Sequence, residues 1–290
     1  MILITGATDG IGLETAKELA RRGHELVLHG RNQEKTQRAS DAVQRVAPNT
    51  VLHTAHADLA DLAEISRMAQ DLSSRLPQLD VLINNAGVYM TTRKLSKDGF
   101  EMTLAVNHIS HFLLTGLLLP LLKKSPEPRV VTVSSVAHMG GRIELDNLNG
   151  ERHFDAYHAY ANSKLADALF AYELARREPW LSSNSLHPGV IDTKLLHAGF
   201  NMPGSSVVEG ARTSVYLATS SEVKGVTGKY FDHCSAVSPS PLALNHQLAQ
   251  QLWEWSENAV RPYLSDKDKN GFIRTELSYN TEIKTSFRPH

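Results

Sequence analysis

The chain has 290 residues, 41% hydrophobic and 21% charged, a globular composition long enough for one large α/β domain or two small ones. Its formal net charge of −1 excludes bulk electrostatic attraction to nucleic acid or an acidic membrane surface. One cysteine, Cys234, excludes an internal disulfide and a cysteine-cluster metal site, and suits a reducing compartment.

No repeat of solenoid period is present. Met1-Ile2-Leu3-Ile4 leads directly into the first element without a visible signal peptide. The longest apolar run, Phe112 to Leu122, contains Thr115, Gly116 and Pro120; it is too short to span a bilayer and reads as the end of a core helix. The expectation is a cytoplasmic protein with no membrane span.

Ile2-Leu3-Ile4 is an unbroken apolar run, the pattern of a strand buried on both faces. Thr5-Gly6-Ala7-Thr8-Asp9-Gly10-Ile11-Gly12 follows, then a helix with Leu13, Ala16, Leu19 and Ala20 on one face, stopped by Gly23. Strand, glycine-rich turn and helix are the context in which a helix N-terminus holds a phosphate. Gly6, Thr8, Asp9, Gly10, Ile11 and Gly12 are therefore candidate cofactor-binding residues. The spacing, G-x-x-x-G-x-G, is one residue wider in its first gap than the G-x-G-x-x-G dinucleotide fingerprint.

The second strand is Glu25 to His29. No acid stands among His29, Gly30, Arg31 and Asn32 to hold ribose hydroxyls, whereas Arg31 is placed to meet a 2′-phosphate. This favours NADP(H) over NAD(H). A helix over Gln33 to Val46, a strand over Val51 to Ala55 with Asp58-Leu59 beyond its end, a helix over Asp61 to Leu76 and a strand over Asp80 to Ile83 come next. Asn84-Asn85-Ala86-Gly87 then gives small and amide residues at a central strand's carboxyl end, suited to a ligand lying there. The alternation implies parallel strands with right-handed crossovers.

Asp98 is placed to cap a long helix through Lys123 that contains Asn107, His108 and His111. The two histidines lack a third ligand at metal spacing, so no metal site is assigned. Arg129 to Val133 is a strand ending at Ser134-Ser135, and a long polar connection follows. The next helix runs to Arg177 and carries Tyr160 and Lys164. Their i, i+4 spacing puts phenol and ammonium on one face, where the cation favours the phenolate and makes a proton donor–acceptor. A strand over Ser183 to Leu186 leads to His187-Pro188-Gly189-Val190-Ile191-Asp192-Thr193. Leu195 to Gly204 reads as irregular, Glu209 to Thr219 and Gln247 to Trp255 as helices, and Gly228 to Phe231 as a last strand. Asp266 to Gly271 is similar to the first half of an EF-hand loop, but position twelve is Leu277 and Glu276 stands one residue early. The segment reads as a solvated tail.

Thr5-Gly6-x-x-x-Gly10-x-Gly12, Asp58, Asn84-Asn85-Ala86-Gly87, Asn107, Ser135, Tyr160-x-x-x-Lys164 and Pro188-Gly189…Thr193 together resemble the short-chain dehydrogenase/reductase family over about residues 1 to 235. Val106 to Phe112, Val133 to His138 and the long gap from Ser135 to Tyr160 are similar to its retinol dehydrogenase-like branch, which includes WW-domain oxidoreductase. The resemblance implies a single doubly wound Rossmann domain, α/β, with a mostly parallel sheet and helices on both faces. The catalytic domain would occupy residues 1–240 with a substrate loop at 195–208, and residues 241–290 would be a C-terminal helix and polar tail.

It further implies that Tyr160 is general acid in reduction and base in oxidation, that Lys164 lowers its pKa and binds the nicotinamide ribose, that Ser135 bonds the substrate oxygen, and that Asn107 holds a relay water. Asp58 would meet adenine, Asn85, Ala86 and Gly87 the adenosine ribose and pyrophosphate side, and Ile191 and Thr193 the nicotinamide end, with Leu59, Pro188 and Gly189 as further cofactor-binding candidates. Asp9 departs from the pattern, standing where NADP users often carry a basic residue. The expected function is hydride transfer between NADP(H) and a carbonyl or alcohol of an apolar or aromatic small molecule, in a homodimer or homotetramer paired through the helices of Asn107 and Tyr160. The alternative is a catalytically silent NAD(P)-binding sensor.

Overall fold

The structure, a computed structural model, describes residues 1–200 and 202–265; the EF-hand-like stretch lies outside the described residues. Eight strands form one sheet in the order β3-β2-β1-β4-β5-β6-β7-β8. They are β1 (Ile2–Ile4), β2 (Leu26–Gly30), β3 (Leu52–His56), β4 (Val81–Asn84), β5 (Arg129–Val133), β6 (Ser182–His187), β7 (Tyr230–Asp232) and β8 (Ser235–Val237). Every pairing is parallel except β7 with β8. Strand order reverses direction between β1 and β4, so the crevice beyond their carboxyl ends is the ligand position this topology creates.

Period-two alternation divides the core. Leu3, Val27, Leu82 and Val130 face one layer, with α3 (Leu62–Arg75) and α5 (Ser110–Leu122) packed on it. Ile2, Ile4, Leu26, Leu28, Val81, Ile83, Val131 and Val133 face the other, covered by α1 (Gly10–Arg21) and α8 (Val207–Thr219). Helix starts follow side-chain caps: Asp9 on α1, Asn32 on α2 (Gln33–Val46), Asp61 on α3, Asp155 on α6 (Ala156–Arg177).

Four sequence expectations need correction. Asp98 does not cap the Asn107 helix; its carboxylate accepts from Leu62 N at the start of α3. Glu101 is the cap, accepting from Thr103 N and Leu104 N at the head of α4 (Met102–Leu104). Between α4 and α5 the chain makes a π-helical turn over Ala105–Ile109, which contains Asn107. The whole apolar stretch Met102–Leu122 is long enough to cross a membrane, yet it is buried inside the protein as a core helix. The segment after Thr193 is not wholly irregular, since α7 spans Lys194–Phe200. Finally, β8 is an exposed edge strand without an apolar pattern to reveal it.

One face of each helix expected to meet a second copy packs against this chain's own α9 (His246–Val260). Trp253 stacks on Phe170 at 5.9 Å and meets Phe112 edge-on at 4.9 Å, while Leu252 and Ala249 pack with Leu165, Ala168 and Leu169 of α6. Those faces of α5 and α6 are occupied from within.

Candidate active site

A cavity of about 1060 Å³ opens at the sheet's carboxyl edge and runs from the glycine-rich turn to the end of α7. It is lined by every candidate site residue from the sequence except Asn107, which lies buried just behind Gly87. Pro188, Gly189, Ile191 and Thr193 form its wall after β6.

The turn is shaped to leave room for an anion. Gly6 and Gly10 have φ of +65° and +53°. At Gly12 an added Cβ would stand 2.3 Å from Gly6 O and 2.5 Å from Asn85 Nδ2, so only glycine lets α1 start against β1. Asn85 Nδ2 donates to Thr5 O at 2.8 Å, and the Thr5 hydroxyl accepts from Asn85 N and Ala86 N at 2.9 and 3.0 Å. These bonds lock the ends of β1 and β4 together. The cradle fits a dinucleotide pyrophosphate: glycine backbone at Gly6, Gly10 and Gly12 and a helix N-terminus at the cavity wall.

Arg31, at the end of β2, is largely exposed, its guanidinium 3.6 Å from Asp58. Asp58 also accepts from Ala60 N, which fixes the turn that leads to the buried Leu59. Asp9 caps α1 through Gly10 N, and Lys194 at the head of α7 pairs with it and holds its carboxyl below the ordinary value. The one acid in the turn is thus already partnered.

Deeper in, Tyr160, Lys164 and Asn107 are all buried. Ser135, at the end of β5, lines the cavity beside Tyr160 and favours its phenolate, while its own Oγ accepts from Ala137 N. Asn107 is a pin: its Oδ1 accepts from Val88 N at 2.8 Å, and its Nδ2 donates to Val88 O at 3.0 Å and Ser163 Oγ at 2.9 Å. Lys164 Nζ donates to Val133 O at 2.8 Å and Asp167 Oδ2 at 2.9 Å, and lies 5.9 Å from the Tyr160 ring centre. Burial raises the phenol above its ordinary value and outweighs the pull of Lys164 and Ser135. The expected lowering by Lys164 is therefore present but does not win. Tyr89 and Phe200 pack against the Tyr160 ring and Tyr157 against Phe200, forming an aromatic wall, with Tyr89 5.4 Å from both Tyr160 and Phe200.

Three residues that sequence reasoning did not assign to the site hold it in place. His29 accepts from Gly6 N through Nδ1 and donates from Nε2 to Ala57 O; burial pushes it down to about 4 and keeps it neutral. His111 donates from Nδ1 to Asn107 O at 2.9 Å and accepts the Thr5 hydroxyl at Nε2, pushed down to about 3 by burial. It is a neutral strut from β1 to the π turn. His108 points elsewhere, to Ser256 on α9, so the two rings do not share an ion. Asp167 is the third. A polar residue inside an apolar strand or helix stripe was the available signal for all three; their partners are distant in sequence.

A doubly wound sheet with an anion cradle at its switch point and a Ser–Tyr–Lys constellation beside it defines a dinucleotide-dependent oxidoreductase. The short chain dehydrogenase family model matches residues 1–203. Human retinol dehydrogenase 14 is 39% identical over 287 residues, covering 89% of this chain and 85% of that protein. Human retinol dehydrogenase 13 is 40% identical over 277 residues, with 89% and 84% covered. A Mycobacterium paratuberculosis crystal structure superposes with a TM-score of 0.75 at 34% identity over 90% of this chain and 92% of that one. A Shigella flexneri short chain dehydrogenase complexed with NADP gives 0.68 at 27% identity over 81% and 96%. The chain belongs to the short-chain dehydrogenase/reductase family, in its retinol dehydrogenase-like branch, and is an oxidoreductase acting on CH–OH donors.

Proposed function

We propose that this oxidoreductase uses NADP(H) and interconverts an apolar or aromatic carbonyl compound with its alcohol. The observation that carries the reading is that Tyr160, Ser135 and Lys164 line the aromatic-walled end of the cavity whose other end is the glycine cradle and Arg31. When bound, the nicotinamide cofactor supplies or accepts the hydride. Ser135 orients the substrate oxygen, and Tyr160 gives it a proton in reduction and takes one in oxidation. Lys164 keeps its charge beside the phenol. Asn107 fixes Val88 and the start of α6's catalytic face, and its main-chain carbonyl, which His111 fills at one lone pair, offers the other to a relay water.

NADP(H) is favoured because Arg31 is exposed at the β2 end, no acid competes with it among residues 29–32, and the turn carboxylate of Asp9 is held by Lys194. Relatives named for retinol as substrate support an apolar alcohol. The test is NADPH against NADH consumption over a panel of aldehydes, ketones and quinones. Faster turnover with NADH would overturn the cofactor reading. Tyr160→Phe should abolish turnover while NADPH still binds; an active Tyr160→Phe protein would sink the proton assignment.

A further inference from the structure

The Lys164 ammonium sits against a carboxylate rather than against the phenol it would tune. Asp167 follows it by three residues on the same face of α6, and the two side chains are 4% and 1% exposed. Asp167 Oδ2 accepts from Nζ, while Oδ1 is buried with no hydrogen-bond partner. A buried carboxylate with an idle oxygen is costly, and a buried ion pair is weak support for a fold. α6 is already fixed by Leu165, Ala168 and Leu169 against α9 and by the Ser134 hydroxyl donating to Lys164 O. The pair therefore needs another explanation.

Few other groups face it. Tyr160 lies on the same helix, Tyr230 approaches from β7, and His111 approaches from α5. Burial holds Tyr230 above and His111 below their ordinary values, so both stay neutral. Lys164 and Asp167 are the charges beside the phenol, and Asp167 raises the Tyr160 pKa while Lys164 lowers it. Asp167 itself is lifted by burial to about 7 against the pull of Lys164.

We propose that Asp167 is a positioning residue for the proton chemistry of Tyr160: it holds the Lys164 ammonium against Val133 and offsets its charge, so that the phenol keeps its proton. The protonated phenol is the form that donates to a substrate oxygen, so the pair suits carbonyl reduction near neutral pH. This rests on the proposed role of Tyr160, but its test does not require turnover. Tyrosinate absorbance is titrated in the full chain and in its Tyr160→Phe variant, and the difference gives the ionisation of Tyr160; the same subtraction is made in the Asp167→Asn background. Asparagine keeps an acceptor for Nζ and removes only the charge. The expected result is a Tyr160 midpoint lower by about one pH unit or more in Asp167→Asn. An unchanged or higher midpoint overturns the proposal, because a merely structural Asp167 would change the melting temperature and leave the midpoint alone. If Asp167→Asn does not fold, Asp167→Ser carries the same expectation. Loss of the oxidoreductase reading would appear separately, as a wild-type chain that turns over no substrate while its titration still reports.

Discussion

Gly12→Ala is the sharpest perturbation of the cofactor cradle. The new Cβ would stand 2.3 Å from Gly6 O and 2.5 Å from Asn85 Nδ2, well inside contact distance, and both are held by the β1–β4 lock. Overpacking of this kind costs about 1–3 kcal/mol, and loss of the Asn85 bond to Thr5 O adds about 1 kcal/mol. A chain this size loses about 2–4 °C of melting temperature per kcal/mol. Relief requires Gly6 or the head of α1 to move, and both line the space for the pyrophosphate, so NADPH affinity should fall at least about tenfold. Gly23→Ala is the control. Its φ is +81° but nothing lies within 4 Å of its Cβ, so it carries only the left-handed strain of about 1–2 kcal/mol and should leave NADPH binding untouched. Thermal unfolding and fluorescence titration with NADPH read both effects. A Gly12→Ala protein that binds NADPH as well as Gly23→Ala does would refute the cradle argument.

Arg31→Ala should raise the NADPH dissociation constant by roughly 10–100-fold, the worth of a charge-assisted bond to phosphate, and leave NADH nearly unchanged; equal loss for both dinucleotides would count against a 2′-phosphate contact. Acid should weaken the fold through its buried histidines. His29, His108 and His111 are held neutral, their values pushed by burial from the ordinary 6.5 to about 4, 3 and 3. Between those values and 6.5 the unfolded chain binds more protons, so stability is fully present above 6.5 and falls as pH drops through this window. The slope is about 1.4 kcal/mol per pH unit for each histidine. Urea unfolding at stepped pH checks it, and flat stability across the window would show the rings are not buried neutral in solution. His111→Leu should break the strut between Thr5 and Asn107 and cost about 1–3 kcal/mol; an unaltered melting temperature would deny it that role.

The elements that sequence reasoning placed well were those with local causes. β5 and α6 end where an apolar run or a capped helix ends, and Tyr160 and Lys164 are four residues apart, so their shared face follows from helix geometry alone. What escaped has partners far along the chain. Asp98 looks like a cap for the helix that follows it, but Leu62 N, 36 residues earlier, claims it, and Glu101 takes the place. The π turn at Asn107 answers to tertiary contacts with Val88, Ser163 and, through His111, Thr5, none visible in a window of sequence. Strand β8 is exposed along its length and has no alternation to detect. Periodicity likewise shows that faces of α5 and α6 are apolar, and cannot say that Trp253 of the same chain covers them.

Burial does more at this site than exclude water. It silences the titratable groups that could blur the field around Tyr160, holding His111 below and Tyr230 above neutral pH. In a low-dielectric interior each remaining charge acts strongly on its neighbours. The phenol is itself raised by burial, so its proton depends on how Lys164 and Asp167 divide one short ion pair. A dinucleotide whose ribose hydroxyls compete for the Lys164 ammonium would weaken its hold on Asp167 and shift that division. Cofactor binding and the proton affinity of Tyr160 would then be linked through one side chain, Lys164.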